Sequence, residues 1–106
     1  MKTVINDYTY FVGRSAKENW QLLDAAEPFD IWFHLDKQSS PYVFLVVRDN
    51  SEIPYSALLE GANLCKEHSK AKHDKGVPVI YCPVDSLKKG KMLGEVITKN
   101  TKRIIV

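Results

Sequence analysis

Two neighbouring predicted strands carry side chains with the chemistry of a nucleic-acid contact surface. Residues 30–35 and 42–48 alternate between two side-chain types, as strands do. In that register, one face of the predicted hairpin carries Trp32, His34, Tyr42 and Phe44. Aromatic rings exposed beside cations stack unpaired bases, at about 1–3 kcal/mol per base. The alternative interpretation is a second core face, covered by another part of the chain.

A lysine-rich segment supplies the cations that such a surface needs. Residues 66–75 hold four lysines, two histidines and two acidic residues at the end of a predicted helix. A helix C-terminus favours cations through its dipole, and this effect alone can account for the cluster. The functional interpretation is a phosphate-contacting stripe that a basic loop continues. We therefore predict one electropositive patch formed by Lys70, Lys72, Lys88, Lys89 and Lys91.

The spacing of metal-binding and catalytic residue types predicts neither a metal site nor an enzyme. Cys65-x-x-His68 and His73 are the clustered soft ligands, but no second pair completes a zinc site, and Cys82 is isolated. The sequence has no glycine-rich dinucleotide loop, P-loop or G-x-S-x-G motif, and its carboxylates are scattered. We predict a protein that is not an enzyme and needs no cofactor.

Length, composition and charge predict a single domain over residues 1–106 with an anionic partner. Hydrophobic residues make up 44% and charged residues 26%, as in globular domains. Residues 1–53 hold five basic and eight acidic side chains, a net charge of −3, whereas residues 54–106 hold ten and five, a net of +5. A basic half of this kind favours nucleic acid. The alternative is a protein–protein interaction module whose lysine-rich half is only a solvated face.

The first residues and the apolar runs predict a cytoplasmic protein without membrane contact. No apolar run approaches the ~18 residues of a membrane span. Residues 1–7 turn polar too soon for a signal peptide. The two cysteines are then most simply reduced thiols.

The elements that must position these side chains predict an α+β fold. We expect the order β-β-α-β-β-α-β-β-β, a mixed, mostly antiparallel sheet, and two helices on one face of it. A capping box from Ser15 to Glu18 opens the first helix, and Pro54 opens the second. The final strands, residues 94–98 and 103–106, are expected to pair as a hairpin. In chain order the elements are predicted at residues 4–5, 8–12, 15–26, 30–35, 42–48, 54–70, 77–82, 94–98 and 103–106.

One polar residue interrupts the apolar stripe of the first predicted helix. Asn19 shares that stripe with Leu22, Leu23 and Ala26. A buried amide needs hydrogen-bond partners. Asn19 is therefore either solvated at the edge of the stripe or a structural lock that ties the helix to the strand loops.

Several short motifs occur in a fixed order from about residue 10 onward. They are Gly13-Arg14-x-x-x-x-Asn19, Asp30-Ile31-Trp32-Phe33-His34, Ser39-Ser40-Pro41-Tyr42-Val43, His68-Ser69-Lys70-Ala71-Lys72, Val77-Pro78-Val79-x-Tyr81, and Lys88-Lys89-Gly90 with Gly94. This ordered set resembles the NFACT-R domain, the RNA-binding module of the NFACT proteins, which also occurs in a stand-alone form in eukaryotic coiled-coil-domain relatives.

The resemblance implies a non-enzymatic RNA-binding module for tRNA or rRNA, near the ribosome, in translation or ribosome-associated quality control. DNA stays open as an alternative ligand. The chain shows no N-terminal NFACT domain and no coiled coil, so bridging between ribosomal subunits is not expected. Tyr42 stands where the family often has histidine. Tyrosine keeps a stacking ring and a hydrogen-bond donor but cannot carry the positive charge of a histidine. The nucleic-acid contacts that the resemblance implies are Arg14, Asn19, Trp32, His34, Lys70, Lys72, Lys88 and Lys89.

His34 is the residue on which the predicted site depends most. Because it alternates with the aliphatic residues of its strand, we expect it to be partly accessible, near Arg14 and Tyr42. We also expect it to gain charge near pH 6.5 and so to tighten RNA binding. Replacing it by alanine is expected to weaken binding with little loss of stability.

Overall fold

The computed structural model describes residues 1–48 and 52–106, and the elements follow the alternating patterns closely. Within these ranges, neither α-helix has the length and hydropathy of a membrane-spanning segment. A 3-10 turn at Val84–Ser86 follows the fifth strand. In chain order the elements are β1 Lys2–Ile5, β2 Tyr8–Val12, α1 Ala16–Ala25, β3 Ile31–Leu35, β4 Val43–Leu45, α2 Tyr55–Glu67, β5 Pro78–Pro83, β6 Lys88–Lys89, β7 Val96–Ile97 and β8 Lys102–Ile105.

Six of these strands form one sheet in the order β1-β2-β4-β3-β5-β8, and every pairing in it is antiparallel. The predicted α+β class is thereby confirmed. The predicted final hairpin is wrong, because β7 pairs with β6 in a separate ribbon and β8 pairs with β5. The pairing with β5 sets Ile104 beside Val79, and both side chains are buried in the same core.

The two helices cover opposite faces of the sheet, which corrects the prediction that they share one face. The face packed against α2 is mostly aliphatic and includes Phe33, Leu35, Val43 and Leu45. The other face carries Trp32, Tyr42 and Phe44. Leu22 and Leu23 of α1, Ala26 at its C-cap and Val96 of β7 pack against these rings. Both faces are apolar, so each must be covered to be removed from water.

A buried carboxylate fixes the start of β3. Oδ1 of Asp30 accepts a hydrogen bond from the backbone N–H of Val47 at 3.0 Å, and Oδ2 accepts from that of Glu27 at 2.9 Å. The side chain is buried. Asp30 therefore joins the end of the α1–β3 connection to the chain segment that follows β4, and it fixes the position at which β3 begins.

The N-terminus of α1 is held by the predicted cap. Oγ of Ser15 accepts from the backbone N–H of Glu18 at 3.1 Å. The Glu18 carboxylate accepts from the backbone N–H of Arg14 at 3.0 Å, one residue earlier than a capping box requires. This hydrogen bond from the Arg14 backbone is the main cause that lowers the pKa of Glu18. The first turn of α1 is thus fixed against the end of β2.

Candidate nucleic-acid interface

A cleft of about 800 Å³ lies where four parts of the fold meet. Its walls come from the start of α1, the turn between β3 and β4, the residues after α2, and the loop between β6 and β7. Six of the ten predicted contact residues line this cleft, namely Arg14, Asn19, Trp32, His34, Tyr42 and Lys70. The fold therefore brings together residues that stand up to 56 positions apart in sequence.

The cleft is positively charged. Arg14, Lys37 and Lys70 line it, against the single acidic residue Glu95, which gives a net charge of +2 with histidines neutral. The Arg14 side chain is 71% exposed, and its Nε lies 3.4 Å from the Glu18 carboxylate. An exposed pair at that distance contributes little and leaves the guanidinium available to an anion. Clustered cations in a concave surface concentrate phosphate there.

His34 forms the accessible part of the aromatic surface. Its ring stacks on Trp32 with centroids 5.6 Å apart and planes 9° apart, and the Tyr42 ring meets it edge-on at 5.6 Å. Nδ1 of His34 lies 2.6 Å from the carbonyl oxygen of Leu35. The side chain is partly exposed, as expected, and it lines the same cleft as Arg14 and Tyr42. Packing and this hydrogen bond hold the imidazole in one orientation.

The other rings of the predicted stacking platform are covered. Trp32 is 1% exposed and Tyr42 is 4% exposed, because α1 and the β6–β7 ribbon pack over this face of the sheet. The Tyr42 hydroxyl donates to the carbonyl oxygen of Gly94 in the β6–β7 loop. Nε1 of Trp32 is buried and has no hydrogen-bond partner within residues 1–48 and 52–106. Both rings thus support His34 rather than presenting a face to a base.

Burial changes the expected pH behaviour of His34. Desolvation is the main cause that lowers its pKa, and the hydrogen bond to Leu35 and the Asp36 carboxylate oppose it without cancelling it. The folded imidazole therefore stays neutral to a lower pH than a free histidine does. The imidazole is therefore expected to gain its charge below pH 6.5 rather than near it as predicted, because the site excludes much of the water that a cation needs.

Asn19 is the structural lock rather than a solvated edge residue. The side chain is buried, and its Oδ1 accepts from the backbone N–H of Tyr42 at 3.4 Å. The carbonyl oxygen of Tyr42 accepts in turn from the backbone N–H of Gly13 at 2.9 Å. These contacts tie α1 to β2 and β4 directly beneath the cleft.

Replacing Gly13 by alanine is expected to lower the free energy of unfolding by about 1–3 kcal/mol. A Cβ at this position would lie 1.9 Å from Oδ1 of Asn19, so the helix or the amide must move. Chemical denaturation of Gly13→Ala measures the loss. In an Asn19→Ala background the same change should cost much less, since the clashing amide is gone. An equal cost in both backgrounds would contradict this packing.

The other four predicted lysines, Lys72, Lys88, Lys89 and Lys91, do not line the cleft. Nζ of Lys89 lies 2.6 Å from Oδ1 of Asp24 and 4.8 Å from the centre of the Trp20 ring. These contacts attach the β6–β7 ribbon to α1, so Lys89 has a structural partner. Lys70 alone of the predicted patch enters the cleft, and contacts from the other four to a longer nucleic acid stay a prediction.

Two basic or imidazole side chains of the cleft, Lys37 and His68, are not among the ten predicted contacts. Lys37 lies between two predicted strands, and His68 belongs to the lysine-rich segment and to the cysteine–histidine pair weighed as a zinc site. The signal for Lys37 is its place in the hairpin connection, three residues after His34. Cys65 is buried whereas His68 is exposed, so the two do not converge. Within the described ranges, no three His, Cys, Asp or Glu side chains are placed to hold a metal ion.

Comparison with known proteins identifies the family to which this chain belongs. The family described as the NFACT protein RNA-binding domain matches residues 2–103. The chain belongs to the NFACT RNA-binding domain family. Membership supports a nucleic-acid-binding module and favours a protein that is not an enzyme. All the cleft residues named above lie inside the matched region.

Individual relatives show the same relationship. Coiled-coil domain-containing protein 25 of Mus musculus is 37% identical over 86 residues, which cover 77% of this chain and 41% of the mouse protein. The Dictyostelium discoideum homologue is 30% identical over 109 residues, which cover 97% of this chain and 53% of that protein. The chain thus spans about half the length of these relatives or less.

A solved structure shares the fold. The C-terminal part of the fibronectin/fibrinogen-binding protein from Streptococcus suis superposes with a TM-score of 0.90, at 24% identity, over 99% of this chain and 44% of that one. At this identity the likeness shows the fold alone.

Proposed function

We propose that this module binds RNA through the cleft, with Arg14, Lys37 and Lys70 holding phosphates around His34. The observation that carries the proposal is that these cations, from three separate parts of the chain, line one cleft together with the partly exposed His34. Membership in the NFACT RNA-binding domain family supports RNA as the ligand. The concave shape suits a nucleotide unit, because pockets of about 300–1,000 Å³ hold ligands of that size.

The RNA is proposed to be tRNA or rRNA, and the setting translation or ribosome-associated quality control in the cytoplasm. The support is the similarity of the ordered motifs to the NFACT proteins, together with the matched family. Sequencing the RNA crosslinked to the chain in cells tests this part. Enrichment of tRNA or rRNA supports it, and crosslinks dominated by other RNA or by DNA contradict it.

Binding to RNA is expected to weaken steeply with salt. Three phosphate contacts on single-stranded RNA predict a slope near −2 for log affinity against log salt, or about 15-fold lost between 50 and 200 mM. Fluorescence anisotropy with a labelled oligonucleotide measures this slope. RNA binding that is absent or independent of salt would contradict the proposal. In that case a protein–protein interaction module would explain the chain better.

A further inference from the structure

The hydrogen bond of His34 fixes which of its ring nitrogens can meet a ligand. A carbonyl oxygen only accepts, so the nitrogen beside Leu35 O must carry the proton. In a neutral imidazole one nitrogen donates and the other accepts. Nε2 of His34 is therefore left as an acceptor, and the lowered pKa of His34 keeps it so at neutral pH. The imidazole repels no cation and attracts no phosphate in this state.

The cleft offers a nucleotide two kinds of partner, namely cations that donate hydrogen bonds and one ring nitrogen that accepts them. The cations Arg14, Lys37 and Lys70 line the cleft and suit phosphate oxygens, which only accept hydrogen bonds. His34 lines the same cleft and packs against the buried Trp32 and Tyr42 rings, which fix its plane. A phosphate oxygen placed against Nε2 would set two acceptors face to face. The group that meets His34 must instead carry an N–H or an O–H.

We infer that the cleft binds an unpaired nucleotide that donates a hydrogen bond to Nε2 of His34 while its phosphate lies on the neighbouring cations. This inference rests on the proposed RNA binding and adds a chemical selection to it. The donor is either a base N–H or the ribose 2′-hydroxyl. In a duplex, base N–H groups that form Watson–Crick pairs are already engaged, so paired RNA presents fewer donors than a single strand does.

Two variants of His34 test the acceptor with a matched control. Phenylalanine keeps a ring on Trp32 but has no acceptor, whereas glutamine keeps an acceptor oxygen. His34→Phe is expected to bind a single-stranded oligouridylate about 3- to 10-fold more weakly than the wild type, the range for one hydrogen bond. His34→Gln should recover part of that loss. Thermal unfolding of both variants checks that the fold is retained.

Modified ligands test the same contact without altering the protein. Oligouridylate, its N3-methyl analogue and its 2′-deoxy analogue are compared on the full chain at one salt concentration. The analogue that lacks the donor should bind the wild type about 3- to 10-fold more weakly than unmodified oligouridylate does. The two ligands should bind His34→Phe almost equally well. A loss confined to the N3-methyl analogue identifies the base, and a loss confined to the deoxy analogue identifies the ribose.

The outcomes separate this inference from the proposed function. If the wild type binds RNA with a steep salt slope but every analogue binds equally well, the acceptor role of His34 is wrong and RNA binding stands. Equal binding of His34→Phe and the wild type would overturn it in the same way. If the wild type binds none of the oligonucleotides, the proposed function itself fails.

Discussion

Replacing Arg14, Lys37 and Lys70 together by glutamine is expected to lower the affinity for single-stranded RNA about 100-fold at 0.1 M salt. Each side chain lines the cleft, and each neutralised phosphate contributes about 0.7 to the salt slope of a single strand. Losing three such contacts should therefore also flatten the slope by about 2. Anisotropy titrations at several salt concentrations measure both quantities on one preparation.

A matched variant separates local contact from overall charge. Lys2, Lys75 and Lys102 are exposed and do not line the cleft, so replacing them removes the same charge from other surfaces. We expect the affinity of this control variant for RNA to fall less than about threefold, because distant exposed charges are screened within about a Debye length. Equal losses in the two triple variants would show that net charge, not the cleft, governs binding.

Replacing Asp30 by alanine is expected to lower the free energy of unfolding by about 2–4 kcal/mol. The change leaves the backbone N–H groups of Val47 and Glu27 without their carboxylate acceptors. The Val47 N–H is buried, and buried donors without partners are among the largest single causes of destabilisation. Chemical denaturation with intact two-state behaviour measures the loss.

Asp74 provides the control for this change, because it is exposed. Asp74→Ala is expected to shift stability by less than about 0.5 kcal/mol. Asp30 does not line the cleft, so Asp30→Ala should bind RNA normally per folded molecule. A stable Asp30→Ala variant with impaired binding would reverse this assignment and make the residue a ligand contact.

The alternation of residues 30–35 and 42–48 was enough to predict which side chains share a face. Trp32 and Phe44 do pair across β3 and β4, and the Ser15 cap does start α1. These features depend on local periodicity and local hydrogen bonds, which a sequence records directly. Six of the ten predicted contact residues also line the cleft, and most of them belong to the ordered motifs that resemble a known family.

What covers each face of the sheet could not be predicted in the same way. Both faces are apolar, so the stripes of α1 and α2 fit either one, and only the three-dimensional path of the chain decides. The burial of Trp32 and Tyr42 follows from that path, since α1 and the β6–β7 ribbon close over them. The pairing of β8 with β5 brings together residues about 25 positions apart, which no local pattern specifies.

The uneven charge of the two halves does not predict which cations line the cleft. The basic half contains ten cations, yet Lys70 is the single one of them in the cleft, and Arg14 and Lys37 come from the acidic half. Lys89 looks like a phosphate ligand in sequence but pairs with Asp24. A lysine's role depends on what faces it, and facing residues are set by tertiary structure.

Mapping amide chemical shifts during an RNA titration tests the central claim, that RNA occupies this cleft, most directly. A domain of 12.1 kDa gives resolved backbone spectra, and a short oligouridylate is the ligand. We predict that the largest shifts fall on amides of Arg14, His34, Ser40 and Lys70, which line the cleft from four segments. Largest shifts at Lys72 and Lys88–Lys89, or on the outer edge at β8, with the cleft amides unmoved, would contradict the account.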